Sequence, residues 1–145
     1  MADLILRNGR VVDPVNSKDL IADVFIRDGK IQEVAPNLNV SDDVKEIDVT
    51  GKWCIPGLVD MHVHLREPGR EDKETVLTGC QAAVAGGFTG VACMPNTDPV
   101  NDSQAVTRFI LEKAASAPCK VYPIASITRG LKGEKLTDMN ELIGA

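Results

Sequence analysis

Gly57-Leu58-Val59-Asp60-Met61-His62-Val63-His64-Leu65-Arg66 is the stretch on which the reading of this chain turns. In an extended strand alternate side chains share a face, so Asp60, His62, His64 and Arg66 are expected on one side and Val59, Met61, Val63 and Leu65 on the other. The apolar side suits a covering layer of helices, and Pro56-Gly57 marks a sharp entry to the strand. Two imidazoles at i and i+2 lie about 7 Å apart at Cβ, near enough for both rings to converge on one cation. Taken alone, a His-x-His reads more readily as a hydrogen-bonded histidine pair without metal. Here the chain's 2 histidines both fall on this face, between an acid and an arginine, and that favours a metal site.

Composition sets the bounds around this strand. At 145 residues, 43% hydrophobic and 26% charged, the chain has the make-up of an ordinary globular protein of one domain or slightly more, not of a disordered one. A net charge of −5, with no basic run, argues against a sequence-independent grip on nucleic acid. Aromatic residues make up only 3%, so the core must be built from aliphatic residues, alanine and glycine. The opening Met-Ala-Asp-Leu-Ile-Leu-Arg-Asn-Gly resembles neither a secretory signal nor a transit peptide. No stretch approaches the roughly 18 uninterrupted apolar residues of a membrane span, so the cytoplasm is the expected location, with no membrane partner. Cys54, Cys80, Cys93 and Cys119 form no Cys-x-x-Cys pair and are expected to be reduced and mostly buried.

Upstream, residues 1–55 read as short strands punctuated by turns. Asn8-Gly9, between Leu4-Ile5-Leu6 and Val11-Val12, and Asp28-Gly29, between Val24-Phe25-Ile26 and residues 30–34, are both two-residue hairpin signals, since these pairs tolerate positive φ. A further strand over 45–49 completes what is expected to be a small antiparallel β unit.

Downstream, residues 56–145 alternate strand and helix. The spacing predicts a strand over 58–65, a helix over 73–85 stopped by Gly86-Gly87, and a strand over 88–94. A helix capped by Asn101 or Asp102, a strand over 120–127 and a last helical piece over 138–143 follow. Repeated strand-helix units imply an α/β fold with a parallel sheet whose C-terminal strand ends carry the site. A closed (β/α)8 barrel takes about 250 residues, so the stretch from Leu58 onward has room for about three units and is expected to form an incomplete barrel. Asn96, in Met94-Pro95-Asn96-Thr97-Asp98-Pro99, follows the second strand and either looks into the same mouth as the histidines or forms a plain Asx turn. Glu67-Pro68-Gly69-Arg70 reads as a plain surface turn or, directly after the histidine strand, as a lip of the site. A serine or cysteine nucleophile has no support, because no Gly-x-Ser-x-Gly elbow and no third histidine occur.

Pro56-Gly57-Leu58-Val59-Asp60-Met61-His62-Val63-His64-Leu65-Arg66-Glu67-Pro68-Gly69, with Gly86-Gly87-Phe88-Thr89 and the Met94–Pro99 run, closely resembles the dihydroorotases of the amidohydrolase superfamily. The resemblance implies that residues 1–55 are the N-terminal part of a β-sandwich domain and residues 56–145 the first part of a TIM-type metal-dependent hydrolase barrel. It implies that His62 and His64 ligate Zn2+, one or two ions in a complete site. Arg66 and Asn96, with His64 in contact, would hold the substrate's carboxylate. The implied reaction is the reversible conversion of N-carbamoyl-L-aspartate to dihydroorotate in pyrimidine synthesis. The family's remaining ligands and its proton-shuttling aspartate come from later strands, so these 145 residues would hold no catalytic residue and would be inactive alone. The alternatives are a non-catalytic dihydroorotase-like partner of an aspartate transcarbamoylase, or another cyclic amidohydrolase such as an allantoinase or hydantoinase. A homo-oligomer is also compatible with the resemblance.

Overall fold

The computed structural model describes residues 3–145. The chain divides into two compact units, the first ending at Pro56 and the second beginning at Gly57.

The first unit is a single five-stranded sheet of β1 (Leu4–Asp13), β2 (Lys18–Arg27), β3 (Lys30–Ala35), β4 (Lys45–Asp48) and β5 (Trp53–Cys54). The strands lie in the order β3-β2-β1-β4, with β5 also paired to β1. Asp28-Gly29 makes the expected hairpin: Arg27 pairs with Lys30, and φ is 51° at Asp28 and 72° at Gly29.

Asn8-Gly9 does not turn the chain, which corrects the sequence reading. Both residues lie inside β1, where the pairing with β2 slips between Leu6 and Gly9. Asn8, at φ 61°, forms a β-bulge whose N–H donates to Asp23 Oδ1 at 2.9 Å. Gly9 is required for a different reason: a Cβ there would sit 2.6 Å from Cys54 Sγ. The turn between β1 and β2 is made instead by residues 14–17.

The unit is also not wholly antiparallel. β4 and β5 both run parallel to β1, in the registers Leu4↔Lys45 and Arg10↔Trp53, because the segment after β3 carries the chain back to the start of β1. Val11, Ala22 and Val24 are buried on one face of this sheet with Leu6, Ile26, Val34 and Cys54 packed around them. Beside them an apolar groove of about 890 Å3 opens, with Trp53 at its wall.

The sheet is pinned by Asp23, which is 4% exposed. Its carboxylate accepts from the N–H groups of Asn8 and Leu38 and from Arg7 Nη1 at 2.8 Å. Burial works against the charged form, yet these donors outweigh it and hold the Asp23 pKa below the usual carboxylate range. Arg7 also pairs with Glu46 on β4, so one guanidinium spans three strands.

The second unit is mixed α/β. Its parallel sheet has the order β6-β7-β8, from β6 (Leu58–Val63), β7 (Phe88–Cys93) and β8 (Lys120–Pro123). The crossovers are α1 (Val76–Ala85) and α2 (Gln104–Ala114); a short 3-10 turn (Arg129–Leu131) and α3 (Met139–Ile143) follow β8.

Thr75 starts α1 through a reciprocal capping box with Thr78, three residues later than residue 73. Gly86-Gly87 stops it as expected, with Gly87 at φ 84°. At α2 the expected caps are displaced: Ser103 holds the N-cap position, while Asp102 accepts from Gly130 N–H and Asn101 is drawn into the interior. β8 ends at Pro123, four residues short of the expected end, because Ser126 N–H leaves the sheet direction to bond Asn101 O.

The core gathers Leu65, Val76, Cys80, Val91, Cys93, Ile110, Cys119 and Val121. All four cysteines are free, and burial first, with the Cys119 thiol beside it, pushes the Cys80 thiol up to about 12.

Candidate active site

The loops that leave the C-terminal ends of β6, β7 and β8 meet in the second unit; β6 carries His62 and ends at Val63, two residues short of the expected strand, so His64 opens the loop. Its ladder with β7 is irregular. Val59 pairs with Gly90 and Asp60 with Val91, but Val63 pairs with Cys93, so three steps on β6 span two on β7. This is a bulge at Met61-His62, and Asp60 fixes it by accepting the His62 N–H at 3.0 Å.

The bulge overturns the simple alternation. Asp60, Val63 and Leu65 line a cavity of about 210 Å3 together with Ala82 and Ala83 of α1, so Asp60 lies with the helix layer and not with the histidines. Val59 and Met61, expected beneath helices, are 57% and 77% exposed. One inserted residue moves everything after it to the other parity.

His62 and His64 are nevertheless brought together. Their rings meet edge to face with centroids 5.3 Å apart. His64 Nδ1 lies 2.8 Å from Asn96 Oδ1, so the loop after β7 does look into the mouth and Asn96 is more than a plain turn residue. With Oδ1 as acceptor, His64 donates through Nδ1, and in the neutral ring Nε2 is then the unprotonated nitrogen. In that arrangement Nε2 is the nitrogen through which the ring could ligate a metal, with Asn96 in the position of a histidine ligand's outer partner.

Arg66 is half-buried, and no hydrogen bond joins it to His62, His64 or Asn96 among the described residues. Its φ is 62°, and it stands at the centre of a tight turn closed by Glu67 N–H to Leu65 C=O at 2.8 Å.

The lips are strapped to each other. Asp98 N–H donates to Pro68 C=O at 3.0 Å, and a Cβ on Gly69, at φ 95°, would lie 2.0 Å from the Asp98 carbonyl oxygen. Asn101, fully buried, ties the second and third loops: its amide donates to Ile124 C=O, its Oδ1 accepts from Thr107, and its carbonyl accepts from Ser126 N–H.

Glu67 and Asn101 are the residues of this region whose roles the sequence reading missed. Glu67, in a segment that reads as a surface turn, is only 7% exposed. A glutamate nine residues before a helix start gives no local signal of capping it.

As a metal site the arrangement is half a set. Two imidazoles converge, and no group of three His, Cys, Asp or Glu side chains placed to hold a metal occurs among the described residues. A catalytic zinc ordinarily takes three protein ligands, so the pair fits as part of such a centre.

The profile of the family described as "Dihydro-orotase-like" matches residues 51–145. Among curated proteins, the dihydroorotase of Desulfotalea psychrophila is 55% identical over 139 residues, covering 96% of this chain and 32% of that protein. The dihydroorotase of Syntrophobacter fumaroxidans is 49% identical over 146 residues, covering 97% of this chain and 33% of that protein. The chain thus spans about a third of the length of the curated relatives it matches. Among solved structures, an L-hydantoinase (dihydropyrimidinase) from Arthrobacter aurescens superposes with a TM-score of 0.78 at 24% identity, over 88% of this chain and 28% of that one, a likeness of fold alone. A dihydropyrimidinase from Brevibacillus agri gives 0.72 at 28% identity, over 87% and 28%.

Proposed function

The chain belongs to the dihydroorotase-like family, and from that membership we propose that it forms the His-x-His portion of a zinc-dependent dihydroorotase. In this reading the three parallel strands are the first units of a (β/α)8 barrel, the N-terminal sheet is one layer of a β-sandwich, and the enzyme works in the cytoplasm. The substrate pair is N-carbamoyl-L-aspartate and dihydroorotate, interconverted in pyrimidine biosynthesis. The observation that carries the proposal is the His62–His64 pair with Asn96 bonded to His64, at the C-terminal ends of parallel strands.

His62 and His64 would hold the zinc, with further ligands from strands that these 145 residues do not include. Zinc held there would supply Lewis-acid polarisation of the ring amide carbonyl. The chain's own residues bind and orient. Asn96 spends its Oδ1 on His64, which leaves its Nδ2 hydrogens to donate to a substrate carboxylate oxygen. Arg66 presents a planar fork of donors to the same carboxylate, and a guanidinium suits that task better than an ammonium. Neither group would move a proton in the reaction; together they would bind and orient the substrate and set the preference for an acidic one.

The test is turnover of dihydroorotate and of a hydantoin without the carboxylate, by the 145-residue chain and by a full-length protein that carries it, each with zinc supplied. The expected result is no turnover by the 145 residues and, in the full-length protein, turnover that prefers dihydroorotate. Equal use of both substrates would remove the carboxylate assignment and leave a general cyclic-amide hydrolase.

A further inference from the structure

Building on the assignment of Arg66 to the substrate's carboxylate, we infer that Glu67 is a positioning residue whose buried carboxylate locks the backbone that carries Arg66. Arg66 occupies the left-handed region, φ 62°, which a long side chain adopts only where its surroundings hold it. Its two neighbours are both inside: Leu65 is 4% exposed within the core, and Glu67 is 7% exposed. Between them, the Glu67 N–H closes on Leu65 C=O at 2.8 Å, so Arg66 is the residue left at the outside of the turn.

Glu67 is anchored by two helices at once. Its Oε2 accepts the Val76 N–H at 2.8 Å, the first residue of α1, and its Oε1 meets Lys113 Nζ of α2 at 3.3 Å. A carboxylate withdrawn from water is tolerated when it is hydrogen-bonded and paired in this way, and once in place it is hard to move. The turn is braced again by Arg70 N–H to Arg66 C=O at 2.9 Å.

The consequence is preorganisation. A free arginine must freeze several rotors to make a bidentate contact, and a backbone already fixed removes part of that cost before the substrate arrives. Glu67 therefore acts on substrate affinity through Arg66, without touching the substrate or the metal ligands.

The experiment compares Glu67→Ala, Lys113→Met, Arg66→Met and the Glu67→Ala/Arg66→Met pair in a full-length dihydroorotase that carries these residues, reading KM, kcat, zinc content and melting temperature. Glu67→Ala is expected to raise KM about tenfold with a smaller loss in kcat and with zinc retained. Lys113→Met should act in the same direction, by about threefold. In the Arg66→Met background the effect of Glu67→Ala on KM should shrink to under about twofold, since both act through one contact. A Glu67→Ala protein that melts earlier with its KM unchanged, or a KM effect that is fully retained in the Arg66→Met background, overturns the inference. If Glu67→Ala fails to fold, Glu67→Gln, which keeps an acceptor for Val76 N–H but loses the Lys113 pair, is judged with Lys113→Met by the same criterion. The outcomes separate the two claims: Arg66→Met with an unchanged KM rejects the carboxylate assignment itself, whereas a raised KM there with no effect of the Glu67 variants rejects only the role of Glu67.

Discussion

His64 and Asn96, 32 residues apart in the chain, share a hydrogen bond of 2.8 Å between Nδ1 and Oδ1. It joins the loop leaving β6 to the loop leaving β7, and it sets which ring nitrogen donates. In the proposed reading, one amide would serve the metal side of the site through its oxygen and the substrate side through its nitrogen.

Those two duties separate by mutation at Asn96. Asn96→Ala in the full-length protein should lower zinc affinity by about tenfold or more, the usual result of removing a histidine ligand's outer partner. Asn96→Asp keeps an oxygen acceptor for His64, so zinc should stay bound, while the added negative charge opposes the substrate's carboxylate and raises KM. Zinc titration alongside steady-state kinetics reads both, and equal zinc affinity in the wild type and Asn96→Ala would show that the bond does not orient the ligand.

Arg66→Met should weaken substrate binding and leave zinc content intact. A charge-assisted contact is worth about 1.5 to 3 kcal/mol, roughly ten- to a hundredfold in affinity. Loss of zinc with an unchanged KM would assign Arg66 a purely structural role.

Gly69→Ala should destabilise the second unit by more than about 1 kcal/mol, since φ there is 95° and the new Cβ would meet the Asp98 carbonyl. Gly133, also at positive φ but with open space around it, is the control: Gly133→Ala should cost less. Thermal melts of the two variants decide the matter, and equal losses would mean that the contact between the lips is not tight.

Asp23 sets an acid limit on the first unit. Its folded pKa lies below the unfolded value, so its contribution is fully present above the ordinary carboxylate range and is lost as pH falls through the lower folded value. Asp23→Asn should cost about 1.5 to 3 kcal/mol at neutral pH, the worth of hydrogen bonds to a charged group. It should also flatten the acid limb of the stability curve below about pH 4. An unaltered limb, followed by denaturant melts across pH, would place the acid sensitivity elsewhere.

Features that depend on local chemistry are legible in the residues themselves. The Asp28-Gly29 hairpin, the Gly86-Gly87 helix stop and the alternation of strand and helix after Pro56 follow from φ preferences and periodicity, which act within a few residues. The pairing of His62 with His64 was likewise readable as a spacing of two.

The remaining features depend on partners distant in the chain. Asn8-Gly9 carries the same turn signal as Asp28-Gly29, yet the Asp23 carboxylate and the close approach of Cys54 turn it into a bulge within a continuous strand. Asp60 left the face of the histidines because β6 and β7 pair with unequal step counts, and register belongs to a pair of strands rather than to one. Glu67 became a buried anchor because α1 and α2 bring an N–H and an ammonium to it from 9 and 46 residues away. Alternation and turn propensity are properties of the backbone next to a residue; which carboxylate is buried, and which imidazole nitrogen is free, are set by what packs against it.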